Sequence, residues 1–470
     1  MTPLSNRAVT MWDQEVYWPP RSSNSPGKAL RVLLLSLNWS RPKDPRTPLG
    51  SAYLYSWLSR RDDLWPKTRI GFLDRSVSTP ITEVARDVMT VNPSVLGIGV
   101  YVWNNPIVRA LLKSLRSRGF SGKIVLGGPE ISFATGSIAG EFPGADYFVK
   151  GEGEVPFERI VRALLDGKEA EGEGILTPNS FTNEGLAHLS EGTEPVQPHL
   201  LPELLPLMVK DGFGRVEFQR GCVFACTFCA FPFRDRVFRQ YGMADLRQGL
   251  TNLRAAGVRE LAILDPVFFL DRARAMTILR ALNEELPNTR FEIQSRLEHL
   301  DEEIVRQLSK MNALLECGVQ TLDPFVQRAI RRGADRQLVD DNLARLSELG
   351  IDFEAHLIFG LPYQTLGSLL GDVEHLLRFR PKRLRLFPLL DHRGTELSAQ
   401  SRTIYKGRLT FSENFPRRIV ETEWMSRKTI EAVDSVSLAL EEVRTPSMET
   451  GAVRALLVLG QPGGKAASPV

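Results

Sequence analysis

Residues 221–229 read Gly-Cys-Val-Phe-Ala-Cys-Thr-Phe-Cys and set Cys222, Cys226 and Cys229 in a Cys-x3-Cys-x2-Cys run. No other feature limits the fold as tightly. Three soft ligands must converge on one point, from a tight loop entered by a β-like stretch, Arg215-Val-Glu-Phe-Gln219. Such a set suits zinc or an iron–sulfur cluster. Structural zinc takes four protein ligands, and the remaining cysteine, Cys317, lies 88 residues beyond Cys229 in a run that reads as a buried strand. A three-cysteine site therefore leaves one metal position open, which suits a cofactor that brings its own chemistry. Structural or zinc-binding cysteines are the alternative.

The rest of the chain reads as α/β. Residues 1–28, rich in Pro, Ser and Trp, read as a surface arm. Residues 29–170 alternate apolar strand-like runs (29–38, 69–73, 95–102, 123–126, 146–149) with helical periods such as Tyr53, Leu54, Trp57 and Leu58. That alternation predicts a doubly wound, flavodoxin-like parallel sheet whose ligands bind at the carboxyl ends of the strands. Those ends carry Val100-Tyr-Val-Trp-Asn104, Gly127-Gly-Pro-Glu130 and Gly151-Glu-Gly-Glu154. Paired glycines admit a ligand close to the backbone, and a helix that follows offers free amides; tight turns explain such glycines equally well. Trp103 reads also as a core or interface residue. Residues 171–205, rich in Gly, Glu, Pro and Asn, read as a linker.

Residues 206–395 alternate strand and helix six times, with strands near 215–219, 259–265, 290–295, 313–320, 351–358 and 382–387. That is too few for a closed eightfold barrel and predicts a partial (β/α)6 barrel. Residues 396–470 read as a small C-terminal extension, a cap and a tail. A formal charge of +3 over 59 basic and 56 acidic side chains gives no polyanion signal, so no nucleic acid partner is expected. No apolar run approaches the roughly 20 residues of a membrane span, and the first residues lack the apolar core of a secretory signal. Four cysteines, three of them in one metal-like group, fit a reducing cytoplasm.

The cysteine run, with Phe228 before its last cysteine, resembles the cluster loop of the radical S-adenosylmethionine (SAM) superfamily. The resemblance implies a 4Fe-4S cluster held by Cys222, Cys226 and Cys229, with SAM chelating the free iron and cleaved reductively to a 5'-deoxyadenosyl radical. It also implies an electron donor such as flavodoxin or ferredoxin. Phe228 would lie near the adenine. Leu315-Glu-Cys-Gly-Val-Gln-Thr321 resembles the family's Gly-Val-Gln-Ser segment near SAM, and Arg331-Arg332 a segment whose arginine pairs with the SAM carboxylate, for which a bidentate guanidinium is suited. Arg296 ends the third strand, so the implied SAM contacts are Phe228, Arg296, Glu316, Gln320 and Arg332. Ile263-Leu-Asp-Pro266 replaces the family's Gly-Gly-Glu-like segment, leaving Asp265 a substitute by position only. Cys317 reads as a core cysteine, and His356 as a core histidine or a proton donor. No catalytic residue is assigned.

Residues 30–167 resemble, in order and spacing, the cobalamin-binding domain found upstream of many radical SAM enzymes. The implied cobalamin contacts are Pro48, Leu49, Gly50, Tyr101, Trp103, Gly127, Gly128, Pro129, Glu130, Gly151 and Gly153. The first histidine of the chain is His188 and the first cysteine Cys222, so this domain has no imidazole or thiol for the lower face of cobalt. The same absence fits a domain that has lost cobalamin. Leu389–Leu397 and Phe415–Thr422 resemble a C-terminal extension of cobalamin-type members, with Arg417 where a tyrosine is often found. The architecture implies a cytoplasmic cobalamin-dependent methyltransferase acting on a small-molecule natural product, as in antibiotic biosynthesis. There one SAM methylates cob(I)alamin, a second yields the radical, and methylcobalamin delivers the methyl group. The alternative is a cobalamin-independent dehydratase (a lyase), oxidase or rearrangement enzyme, for example on a sugar or aminoglycoside diol. A non-catalytic iron–sulfur or zinc protein is the reading from another class.

Overall fold

In a computed structural model, residues 16–20, 29–39, 47–134, 137–180, 185–189, 194–231 and 238–459 are described. The chain divides into two compact units, Met1–Phe213 and Gly214–Val470.

The first unit is built on five parallel strands, β1 (Leu30–Asn38), β2 (Thr68–Ser76), β3 (Val95–Gly99), β4 (Lys123–Gly127) and β5 (Tyr147–Val149), with an antiparallel edge strand β6 (Ile175–Leu176). Their order is β2-β1-β3-β4-β5-β6. The run Leu30–Asn38 is apolar on both faces because both are covered, as parallel sheets require. Leu33, Leu35 and Leu37 pack with Val84 and Val88 of α2 (Ile81–Val91) and Leu111 and Leu115 of α3 (Asn105–Ser117). Val32 and Leu34 pack on the other side with Tyr55 and Leu58 of α1 (Leu49–Leu58) and Phe157, Ile160 and Val161 of α4 (Glu154–Leu165). This is the expected doubly wound sheet, and its strand order reverses between β1 and β3, where such folds open a crevice for ligand.

Two expectations about boundaries change. The stretch read as a linker belongs to the first unit: it supplies β6, Ala187 bridges to Gly151, and Ser56 and Tyr53 of α1 bond to Val196 and Gln197. Its polar composition concealed this because most of the ties run through backbone groups, which carry no sequence signal. At the other end, Tyr17 pairs antiparallel with Phe72 of β2, and the Trp18 ring lies where a Cβ on Gly71 would come within 2.8 Å. The described part of the arm thus extends the sheet edge.

The second unit begins within β7 (Phe213–Val216) and carries β8 (Glu260–Ile263), β9 (Arg290–Ser295), β10 (Ala313–Gln320), β11 (Asp352–Phe359) and β12 (Arg383–Pro388), side by side in chain order. The pairs from β8 to β12 are parallel. Helices α5 (Leu246–Ala255), α6 (Arg272–Glu285), α7 (Glu302–Leu308), α8 (Pro324–Ala329), α9 (Arg336–Glu348) and α10 (Leu366–Leu377) lie between the strands in the sequence. Asp271, Asp301, Asp323, Asp335 and Thr365 begin five of them by accepting first-turn N–H groups, the preferred N-cap chemistry. β9 alternates buried Phe291, Ile293 and Ser295 with half-buried Glu292 and Gln294, so its second face is polar. This is the expected partial (β/α)6 barrel.

The extension adds α11 (Glu396–Ser401), an antiparallel pair β13 (Leu409–Phe411) and β14 (Ile419–Thr422), and helices α12 (Arg427–Glu441) and α13 (Gly451–Leu459). α12 packs along β12, and Leu390 bridges to Arg418, so the extension is tied to the last barrel strand. Among the described residues no helix is long and apolar enough to cross a membrane.

Candidate functional site

The three cysteines sit just after β7, at the carboxyl end of the barrel strands. Gly221 takes φ +87°, which turns the chain sharply into the loop. The Cys229 sulfur accepts the Phe231 N–H at 3.4 Å, and the Cys222 sulfur that of Phe224. Burial pushes the Cys229 thiol up to about 11 and raises Cys222 as well, each aggravated by the neighbouring thiol of Cys226. At Cys222 and Cys229 the thiolate is thus favoured only when a metal takes it. All four cysteines are free, and Cys317, fully buried in β10, stands apart as the core residue expected.

The donor set fits an iron–sulfur cluster better than a single ion. Two thiolates on one zinc stand at most about 4.6 Å apart, twice the Zn–S bond. Among the described residues the one trio of His, Cys, Asp or Glu ligand atoms within 4.8 Å of one another is Glu316, Glu354 and His356, so at least one pair of the cysteine sulfurs stands farther apart than that. Such a spacing suits a cluster, in which the cysteines bind different irons.

The arginines expected near SAM lie beside this loop. Arg332, 9% exposed, hydrogen-bonds the Cys226 sulfur and donates to the Gly318 carbonyl. Burial and the neighbouring Arg296 lower its guanidinium from the usual value. Gln320, at φ +69°, folds back so that a Cβ on Gly318 would meet its Nε2 at 2.8 Å and Arg332 at 3.7 Å. Arg296 lies over the Phe224 ring at 4.0 Å, donates to the Gly333 carbonyl at 2.8 Å and pairs with Glu298 at 2.7 Å. Burial opposes the Glu298 charge, but Arg296 outweighs it and holds that carboxyl below the usual range. The structure therefore brings Arg296, Gln320 and Arg332 to the cysteines. Phe228 is half-buried within the loop.

Two residues have a different place. Asp265 is 2% exposed and accepts the N–H groups of Phe218 (2.7 Å) and Gln219 (3.3 Å), so it ties β8 to the entry of the cluster loop. Burial raises its carboxyl to about 7. Glu316 belongs to an ionic group on the polar face of the sheet. There Glu354, 1% exposed, meets Arg385 Nε at 2.6 Å, Arg383 at 3.1 Å and His356 Nε2 at 3.3 Å. Sequence reasoning missed Glu298, whose partner Arg296 is two residues away, and Phe224 and Glu354, whose arginine partners are distant in the chain.

In the first unit the expected residues follow the carboxyl ends of β1, β3, β4 and β5. Asn104, fully buried, donates to the carbonyls of Leu37 (3.1 Å) and Gly99 (3.0 Å) and accepts the Tyr101 N–H, clamping the diverging ends of β1 and β3. Tyr101, whose hydroxyl burial pushes up, stacks on Trp103 with centroids 4.5 Å apart, and Trp103 is 38% exposed. Pro48 caps α1, which opens on Leu49 and Gly50; Pro129 opens a helical turn; Gly153 caps α4. Glu130 is buried and accepts from Asn105 at 2.9 Å, a structural tie.

The glycines separate into two kinds. Gly128 (φ +92°) and Gly151 (φ +89°) are demanded by the chain itself: a Cβ would come within 2.7 Å of the Val100 carbonyl and 2.2 Å of the Ala187 carbonyl. At Gly50 and Gly127 the nearest atom to a Cβ would be 3.7 Å away, so packing does not require glycine there. These two leave a cradle that a ligand such as cobalamin can fill.

Comparison with known proteins accords with this geometry. Residues 216–376 match the family model of the radical SAM superfamily, and residues 47–161 that of the B12 binding domain. The chain is 26% identical over 357 residues to an uncharacterized methyltransferase of Pyrococcus horikoshii, covering 71% of this chain and 73% of that one. It is also 26% identical over 333 residues to the cobalamin-dependent radical SAM methyltransferase TokK of Streptomyces tokunonensis, covering 63% of this chain but only 46% of TokK. In fold it resembles the radical SAM methyltransferase TsrM of Kitasatospora setae, solved with cobalamin and a [4Fe-4S] cluster, with TM-score 0.66 and 17% identity over 83% of this chain and 78% of that one. These names favour methylation and give no support to the lyase alternative.

Proposed function

We propose that this chain, which belongs to the radical SAM superfamily and carries a B12 binding domain, is a cobalamin-dependent methyltransferase acting on a small-molecule natural product. The observation that carries the reading is the pairing, in one chain, of a three-cysteine loop at the carboxyl end of the first barrel strand with a switch-point fold whose Gly50 and Gly127 packing leaves open. When bound, the cluster supplies the electron that cleaves SAM, and cobalamin carries the methyl group. Cys222, Cys226 and Cys229 hold the iron. Arg332, bonded to Cys226, offsets the negative charge that the thiolates bring into a buried site. Arg296, fixed by Glu298 and the Gly333 carbonyl, keeps a second cation beside them for an anionic group of the cosubstrate. In the first unit Gly50 and Gly127 let the corrin approach the backbone, and the Tyr101–Trp103 stack offers it a flat apolar wall.

Free thiols able to take up iron and a low-potential electron donor suit the cytoplasm. Cys226→Ala tests the assignment: it is expected to abolish reductive SAM cleavage while leaving cobalamin binding in place. Cleavage retained in that variant would overturn the cluster reading. Supply of SAM labelled in its methyl group, with label recovered in product, tests methyl transfer itself.

A further inference from the structure

The turn that ends α8 fixes one cation against the cluster loop. Arg331 takes φ +50°, a left-handed conformation in which glycine is the usual residue, and both bonds that close such a helix end are made. The Arg331 N–H donates to the Arg328 carbonyl at 3.2 Å, and the Arg332 N–H to the Gln327 carbonyl at 2.9 Å. Gln327 is itself held, its Nε2 on the Thr321 carbonyl at 3.0 Å. The backbone of Arg332 is thus set by the helix end, and its buried side chain bonds to the Cys226 sulfur and the Gly318 carbonyl. The same turn takes the N–H of Thr227, between Cys226 and Cys229, on the Ile330 carbonyl at 3.0 Å. Loop and guanidinium therefore share one anchor.

No carboxylate neutralises that guanidinium. Glu298 acts on it through space, but the Glu298 carboxylate is taken by Arg296 at 2.7 Å. Among the described residues no Asp or Glu oxygen lies within 4.0 Å of Arg332. Its charge also bears on Cys222 and Cys229, and Arg296 adds to it at Cys222. One side chain is thus placed toward all three cysteines. Pairing with the SAM carboxylate, the role the resemblance implies, would not require the bond to Cys226.

We propose that Arg332 is a positioning residue for the electron: held unneutralised on the Cys226 sulfur, it raises the reduction potential of the cluster and so favours the reduced form. The inference rests on the reading that the loop holds an iron–sulfur cluster, and it assigns the tuning of that cluster to this chain's own residues. In the step one electron enters from an external one-electron reductant and the cluster passes from its 2+ to its 1+ state; no atom or proton is transferred. The added negative charge is shared with the thiolates. An N–H donated to a cysteine sulfur, with a cation behind it, therefore stabilises the reduced form more than the oxidised one. Burial strengthens the effect, because less water intervenes to screen it. Glu298 works in the opposite sense, by offsetting the charges of Arg296 and Arg332.

The test is a potentiometric titration of the reconstituted full chain without SAM, poised anaerobically with dithionite and mediators and read by electron paramagnetic resonance of the reduced cluster. Arg332→Gln is expected to shift the reduction equilibrium about tenfold toward the oxidised cluster, a midpoint about 59 mV lower for one electron. Arg332→Lys, which keeps the charge but not the planar fork, should recover part of that shift. Glu298→Gln should move the midpoint the other way. An unchanged midpoint in Arg332→Gln would overturn the proposal and confine the arginine to SAM. So would a fall of equal size in Glu298→Gln, which would mark both changes as general disturbances of the loop. Should Arg332→Gln load no cluster, Glu298→Gln decides: a midpoint at or below that of the parent overturns the proposal. A parent that gives no iron–sulfur spectrum at all refutes instead the reading on which the proposal rests.

Discussion

Two glycines at strand ends of the first unit should respond to the same substitution in opposite ways. A Cβ at Gly151 would meet the Ala187 carbonyl oxygen at 2.2 Å and its nitrogen at 2.6 Å, in backbone at φ +89°. The left-handed conformation costs an alanine about 1–2 kcal/mol. Ala187 must also withdraw, which breaks its N–H bond to Lys150 and its carbonyl bond from Glu152, 2.9 and 2.8 Å long. At about 1 kcal/mol each, Gly151→Ala should destabilise the first unit by about 3–4 kcal/mol, a fall of roughly 10 °C in its melting temperature. At Gly127 the nearest atom would be the Val149 Cβ at 3.7 Å, an ordinary contact. Gly127→Ala should therefore leave the melting temperature nearly unchanged but weaken cobalamin binding about tenfold, or about 1.4 kcal/mol. Calorimetry of the cobalamin-free protein and equilibrium binding of hydroxocobalamin read the two effects. The reasoning fails if Gly151→Ala melts with the parent, or if Gly127→Ala binds cobalamin as the parent does.

Other substitutions probe the second unit. Asp265 has its folded pKa raised to about 7 by burial, from 3.8. The folded state therefore holds this proton more tightly, and stability should fall as pH rises from about 4 to about 7 and then level off. Asp265→Asn keeps the acceptor for Phe218 and Gln219 and removes that slope; melting curves between about pH 5 and pH 8 that run parallel in parent and variant would contradict this. Glu354→Gln leaves the guanidiniums of Arg383 and Arg385 without their carboxylate and should cost roughly 3 kcal/mol. A shift in urea midpoint equivalent to less than about 0.5 kcal/mol would show that the group is open to water.

Much of this was legible in the sequence because it was local. The cysteine spacing, the apolar run Leu30–Asn38 and the alternation of strands and helices each report on neighbours in the chain. Asp265 was not legible, because its position at a strand end looks the same whether it faces a ligand or ties down Phe218 and Gln219. Gly151 looked like Gly127, yet one is fixed by Ala187 and the other by nothing in the chain. The segment around Ile175 and Ala187 read as a linker since strand pairing there uses two residues and a single bridge, too few to leave a period. The Arg296–Glu298 pair lies within reach of a sequence reading, being two residues apart. The Glu354–Arg385 pair depends on the register of adjacent parallel strands, which sequence does not give.

The most direct measurement is anaerobic reconstitution with iron, sulfide and hydroxocobalamin, followed by gel filtration, absorption spectroscopy and a count of cobalamin against protein. The account predicts an iron–sulfur spectrum together with about one cobalamin per chain. A clean iron–sulfur spectrum with no retained cobalamin would contradict it.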